Sequence, residues 1–104
     1  MFGFGHKIDA QQISEELGNG TALLVDVRGE DEWQSGHAVG AMHLTVDRIS
    51  RGEVPTEDTS KKIYLYCASG GRSSVATKTL KQKGYDAENI GGLSSWRSAG
   101  GKIQ

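Results

Sequence analysis

The sequence predicts an α/β fold built on a largely parallel sheet. Short apolar runs of strand length alternate along the chain with segments whose apolar residues recur at helical spacing. Glycine, 15 of 104 residues, falls at the ends of these segments rather than in one linker, which is the pattern of many short turns. The only cysteine, Cys67, closes the clearest of the apolar runs and precedes a glycine-rich loop and a helix.

In chain order, "DAQQISEELGNG" predicts a helix with Asp9 as N-cap, Ile13 and Leu17 on one face, and Gly18-Asn19-Gly20 as the stop. "ALLVDV", 22–27, is a continuous apolar run ending near an acid, as expected of a strand buried on both faces. "GEDEWQSGH" carries its acids where a short helix has its first turn, and "GAMHL", 40–44, is a short second strand. "VDRIS" is one helical turn before a polar loop over 51–61 that holds the single proline, Pro55. "KIYLYC", 62–67, is the third strand. "RSSVATKTLKQKG" has helical spacing at Val75, Ala76 and Leu80, late lysines and Gly84 as the stop. "DAENI", 86–90, is a last strand and "GLSSWRSAG" a last helix. Residues 1–6 and 101–104 are expected to be loose ends around one domain over 7–100.

Bulk properties exclude several function classes. The net charge is −1, with 12 Lys and Arg against 13 Asp and Glu, which gives no electrostatic case for nucleic acid or a membrane surface as partner. No apolar run approaches the roughly 18 residues of a membrane span. "MFGFGHKIDA" lacks the pattern of a signal peptide, so a cytoplasmic protein is expected. A single cysteine forms neither an intramolecular disulfide nor a cysteine metal cage, and a monomer held by its core alone is the expectation.

The stretch "YLYCASGGRSS" concentrates the chemistry. In parallel α/β sheets ligands sit beyond the carboxyl ends of the strands, and Cys67 occupies that position. The loop of Ala68, Ser69, Gly70 and Gly71 is small enough for successive amides to turn inward, with Gly70 and Gly71 free to take positive φ. The following helix adds the positive end of its dipole, and Arg72 adds a fixed charge. Each feature favours an anion at the loop centre, and the nearest is the Cys67 thiolate. A free thiol titrates at about 8.5, and such surroundings lower it to roughly 3.5–7.5. A buried structural cysteine is the commoner fate of a lone strand-end thiol, but packing gives no reason for so polar a loop.

"CASGGRS" resembles the Cys-x-x-Gly-x-Arg-Ser loop of rhodanese-like domains, the single-domain sulfurtransferases. The likeness extends to "LLVDVRGEDEWQSGHAVGAMHL" before the loop. After it come Ala76, Leu80, Gly84-Tyr85 and "NIGGLSSW", covering roughly 7–100 in all. The resemblance implies a mostly parallel five-stranded sheet flanked by helices on both faces. It implies that Cys67 takes a sulfane sulfur from a small donor, thiosulfate or a persulfide, and becomes a persulfide. The sulfur then passes to a thiol, to a protein cysteine, or to cyanide in the laboratory. Neither a metal nor an organic cofactor is implied, because the covalent sulfur is itself the carried group.

On the same reading Ala68, Ser69, Gly70, Gly71, Arg72 and Ser73 form the substrate cradle. Ser73 is equally placed to cap the helix. Asp26 and Arg28 support it from the end of the second predicted element, with Arg28 spaced to pair Glu32, and with Asp26 bonded to backbone amides or Arg72. Trp96 is a core residue that also stands near the pocket mouth, and Trp33 belongs to core or pocket wall. His37 and His43 are structural rather than catalytic partners of Cys67, His6 lies in the loose terminus, and the lysines at 78, 81 and 83 form a solvated face. The loop lacks a basic side chain between Cys67 and Arg72, which disfavours thiosulfate against a persulfide donor.

One rival class, the cysteine phosphatases and arsenate reductases, resembles this strand–loop–helix but places five residues between Cys and Arg, where this chain has four. One residue less shortens the loop contour by up to about 3.5 Å, which suits one outer sulfur better than a tetrahedral oxyanion. A non-catalytic partner-binding module of the same fold is the other rival, and the intact cysteine speaks against it.

Overall fold

The computed structural model describes residues 8–104. His6 and the predicted loose end over 1–6 lie outside the described residues. The elements run α1 (Ala10–Asn19), β1 (Ala22–Asp26), α2 (Glu30–Ser35), β2 (Met42–His43), α3 (Val46–Ser50), β3 (Lys62–Cys67), α4 (Gly71–Gln82), β4 (Asp86–Gly92) and α5 (Leu93–Ser98). Asp9 caps α1 as its type and place predict: its carboxylate accepts the Gln12 amide at 3.0 Å. Gly20 ends the helix with φ 76, a conformation that costs a residue with a Cβ.

All strand pairs are parallel, in the order β2-β1-β3-β4. The described residues thus form four strands, as the apolar runs themselves predict, and not the five implied by the family resemblance. Period-2 alternation divides β1 and β3 between two cores. Val25, Val27, Ile63, Leu65 and Cys67 pack with Ile49 of α3 and Ala76 and Leu80 of α4. Leu24, Tyr64 and Tyr66 pack on the other face with Ala10 and Ile13 of α1 and Trp96 of α5. Helices therefore cover both faces. No helix among the described residues is long and apolar enough to cross a membrane.

The strand order fixes where a site can form. From β1 the chain moves to β2 on one side, whereas from β3 it moves to β4 on the other, so the carboxyl ends of β1 and β3 flank a topological switch point. Cys67 ends β3 at this crevice, and α2 leaves β1 beside it. Between β3 and β4 the register slips: Leu65 pairs Asn89 but Cys67 pairs Gly92, so β4 carries one extra residue just opposite the cysteine.

The tail over 101–104 is paired, contrary to its expectation as a loose end. Ile103 bridges Ala38 in antiparallel fashion, and Gln104 and His37 exchange backbone hydrogen bonds at 2.8 and 2.9 Å. The physical reason is that the Ile103 side chain has apolar surface to cover, and Trp96 donates its indole Nε1–H to the Lys102 carbonyl at 2.9 Å.

Candidate active site

The site begins with the end of β3. Cys67 is 1% exposed, and its Sγ faces the turn that opens α4. Gly70 makes that turn with φ 105, and its amide donates to Sγ at 3.0 Å. Gly71, expected to share the positive φ, is instead the first residue of α4. The hydroxyl of Ser73, fully buried in the first turn of α4, lies 3.3 Å from Sγ. Ser73 is therefore not the helix cap; Gly70 holds that position.

These contacts set the acidity of the thiol. Burial pushes it up, while hydrogen bonds from the Ser73 hydroxyl and from the amides of Ser73, Gly70 and Ser69 pull it down, and the balance is about 7. The nest is built of inward amides: those of Ser69 and Gly70 fall within the expected loop, and the Ser73 amide joins them from the first turn of α4.

The Arg72 side chain reaches across to α2. Its Nη1 and Nη2 donate to Glu32 Oε1 and Oε2 at 2.7 and 2.9 Å. Glu32 Oε1 also accepts the Gly29 amide at 3.1 Å. Together, with Arg72 the larger influence, they hold the Glu32 carboxyl at about 2. The predicted Arg28–Glu32 pairing is thereby corrected. Arg28 instead pairs Asp26, donating Nη2 to Oδ2 at 2.7 Å and Nε to Oδ1 at 3.0 Å.

Asp26 accepts the Arg28 amide at 2.9 Å, a backbone partner of the kind expected, and the Tyr66 hydroxyl at 2.6 Å, but it does not bond Arg72. The reason is strand alternation. Asp26 is the register partner of Tyr66 and shares its face, opposite to that of Cys67. Arg28 Nη2 also donates to the Gly36 carbonyl at 2.6 Å, and the Tyr66 oxygen accepts the Ala38 amide at 2.9 Å. This buried network clamps the α2–β2 connection to the sheet.

Behind the loop stands Asn89 of β4, which opens the "NIGGLSSW" stretch but has no site role in the sequence reading. Its Nδ2 donates to the Gly70 carbonyl at 3.1 Å, and its Oδ1 accepts the Gly91 amide at 2.9 Å and faces the Ser73 hydroxyl at 2.7 Å. A cleft of about 1130 Å³ opens beside the loop, bordered by Ser69, Gly70, Gly91, Ser94, Ser95 and Ser98. Trp96 does not line it. The indole is 1% exposed and serves the core and the tail, which corrects its placement at a pocket mouth.

The rhodanese-like domain family model matches residues 9–99. The chain belongs to this family. It is 36% identical over 87 residues to the uncharacterized protein YqhL of Bacillus subtilis, covering 80% of this chain and 64% of that protein. It is 32% identical over 88 residues to a tRNA sulfurtransferase of Desulfurococcus amylolyticus, covering 82% of this chain and 17% of that protein. The fold superposes on the crystal structure of the Alr3790 protein of Anabaena sp. with TM-score 0.77 at 27% identity, covering 93% and 79% of the two chains. The chain thus spans less than two thirds of the length of either curated relative.

Within this rhodanese-like domain the two histidines of the α2–β2 region serve structure. Both rings stack on Trp33, at centroid separations of 3.5 Å for His37 and 4.9 Å for His43. His37 Nδ1 lies 2.8 Å from the Trp33 carbonyl and His43 Nε2 lies 2.6 Å from that of Arg28. Trp33 is half-buried at this stack. Neither histidine is among the hydrogen-bond partners of the Cys67 sulfur, which come from Ser69, Gly70 and Ser73.

Proposed function

We propose that this domain is a sulfurtransferase in which Cys67 carries a sulfane sulfur from a persulfide donor to a thiol acceptor. The observation that carries the reading is the Cys67 sulfur itself: buried at a strand end, hydrogen-bonded by Gly70 and Ser73, and acidic enough at about 7 to be substantially ionised at neutral pH. Cys67 thiolate attacks the outer sulfur of R–S–SH. The S–S bond of the donor breaks, R–S⁻ leaves with the bonding pair, and the Cys67 sulfur now carries the outer sulfur as a persulfide, Cys67–S–SH, which ionises. An acceptor thiolate then attacks the outer sulfur, and the Cys67 thiolate is released with its electron pair. Two displacements need one nucleophile and no external oxidant or reductant.

The electrostatics favour a persulfide over thiosulfate. Thiosulfate is a dianion, and the cation of the loop, Arg72, is engaged at both Nη atoms by Glu32. The cleft beside the loop is bordered by serines, glycines and Asn89 together with the apolar side chains of Ile8, Ile90 and Ala99, with no charged side chain among the lining residues. The tRNA sulfurtransferase among the relatives supports sulfur transfer as the class of reaction.

Intact mass after incubation with glutathione persulfide, with thiosulfate in parallel and Cys67→Ser as control, tests the reading. Gain of one sulfur atom on the parent alone, released to cyanide as thiocyanate, is the expected result. Absence of loading by either donor while the thiol still alkylates would overturn it in favour of a partner-binding module.

A further inference from the structure

The Ser73 hydroxyl has one proton and two principal claimants. Asn89 Oδ1 stands 2.7 Å from Ser73 Oγ, and the Cys67 sulfur stands 3.3 Å from it. The carbonyls of Gly70 and Gly91 lie further round, at 3.2 and 3.5 Å. Ser73 is fully buried, so water does not supply a substitute donor or acceptor. The Asn89 amide is oriented by its other bonds: Nδ2 donates to the Gly70 carbonyl and Oδ1 accepts the Gly91 amide, which fixes the oxygen toward Ser73.

We propose that Asn89 is a positioning residue that draws the Ser73 hydroxyl proton away from the Cys67 sulfur, so that the sulfur receives only part of that hydrogen bond. With Cys67 protonated, S–H points to Ser73 Oγ and the hydroxyl points to Asn89, a chain in which every group is satisfied. With Cys67 ionised, the hydroxyl must turn to the sulfur and give up its shorter bond to Asn89. The thiolate is stabilised by the difference between two hydrogen bonds rather than by one whole bond.

A sulfur carrier benefits from such restraint. Under the sulfur-transfer reading, Cys67 is the nucleophile of one half-reaction and the leaving group of the other. Nucleophilicity falls as a thiol becomes more acidic while leaving ability rises, and the two are best balanced near ambient pH. Asn89 keeps Cys67 at that balance. The proposal about the hydroxyl proton concerns the resting thiol and stands whether or not sulfur transfer is the reaction.

The test reads the thiol directly, as the pH midpoint of Cys67 alkylation by iodoacetamide; the chain has no other cysteine to confuse it. The charged groups of the surrounding elements are Arg72 of α4, the Glu32 of α2 paired to it and, on the opposite face of the sheet, the Asp26–Arg28 pair at the end of β1. Leu44 and Ile49, from the β2 and α3 side, belong to the same apolar cluster as Cys67. None of these changes in the comparison, which is a double-mutant cycle.

Ser73→Ala is expected to raise the midpoint by roughly half a pH unit in the parent, and by about one pH unit or more in Asn89→Ala, where the hydroxyl serves the sulfur alone. In Asn89→Asp, which keeps the acceptor oxygen, the Ser73→Ala increment stays at or below that of the parent. Because each increment is taken within one background, any slackening of Gly70 or added charge cancels. Equal increments in the parent and Asn89→Ala overturn the proposal. So does an Asn89→Asp increment as large as that expected of Asn89→Ala, an outcome that decides the matter should Asn89→Ala fail to fold.

Discussion

Glu32 and Arg72 close a two-point ion pair from α2 to α4, across the crevice where the sheet reverses its winding. The pair joins the two helices that leave the two central strands, and it holds the first turn of α4, from which the Ser73 donor and amide point at the sulfur. Its energetic worth is bounded by exposure. The two side chains are 40% and 39% exposed, so water screens the attraction to about 0.5–1 kcal/mol.

The pH dependence of that pair has a definite sign. Glu32 titrates at about 2 in the fold, below its ordinary value near 4.5, so its contribution is present above about 4.5 and is lost as pH falls toward about 2. Glu32→Gln is expected to lower stability by about 0.5–1 kcal/mol at neutral pH, with the deficit shrinking below about pH 4.5 and lost as pH falls through about 2. Urea melts across this range check it. A deficit that persists undiminished in acid would mean that the amide variant is weakened for a reason other than charge.

Cys67 supplies the second pH prediction. With the thiol at about 7 it is about half ionised at neutrality, whereas a free cysteine near 8.5 is ionised to only about 3%. Iodoacetamide should therefore label it through a midpoint near pH 7, with a thiolate fraction at pH 7 roughly fifteen-fold that of free cysteine. The folded value lies below the unfolded one, so ionisation adds stability that is fully present above the unfolded value and lost as pH falls through about 7. A midpoint at the value of free cysteine would remove the basis for a reactive sulfur.

The position of this sulfur was legible because three local signals coincide there: a strand-length apolar run, a small-residue loop, and a helix start. The four strands and the Asp9 cap were legible for the same reason, being dictated by neighbours in sequence. What the sequence concealed lies across the sheet. Glu32 sits at helical spacing from Arg28, yet alternation turns Asp26 toward Arg28 and Tyr66 and leaves Glu32 for Arg72. Asn89 opens the "NIGGLSSW" stretch, but its place behind the loop goes with the slip in register between β3 and β4, which no local pattern encodes. Trp96 carries a motif-like position, but the paired tail claims its indole.

Asp26 and Arg28 form a buried pair, the carboxylate fully enclosed and the guanidinium side chain 7% exposed. Asp26→Asn leaves the Arg28 cation buried without its counter-charge and takes one acceptor from Tyr66. The expected loss is about 3–5 kcal/mol of stability, read by urea denaturation, with the Cys67 alkylation midpoint little changed because the pair lies on the opposite face of the sheet. Replacing both, as Asp26→Leu with Arg28→Met, should recover part of the loss. A loss under about 0.5 kcal/mol in Asp26→Asn would show that the pair is not what fastens the α2–β2 connection.

Two glycines of the site separate packing from conformational freedom. A Cβ on Gly92 would fall 2.1 Å from the Ala68 carbonyl oxygen and 2.9 Å from its carbon, so the backbone of the loop must move to admit it. A Cβ on Gly71 meets nothing within 4 Å, and Gly71 has an ordinary helical backbone. Gly92→Ala is expected to cost about 1–3 kcal/mol and to displace the Gly70 amide from the sulfur, raising the alkylation midpoint by about one pH unit. Gly71→Ala should keep the parent midpoint and gain up to about 1 kcal/mol from helix propensity. Thermal melts and alkylation profiles of the two variants check the contrast. If Gly92→Ala kept both the stability and the midpoint of the parent, the close approach of β4 to the loop would not be what holds the sulfur's donors in place.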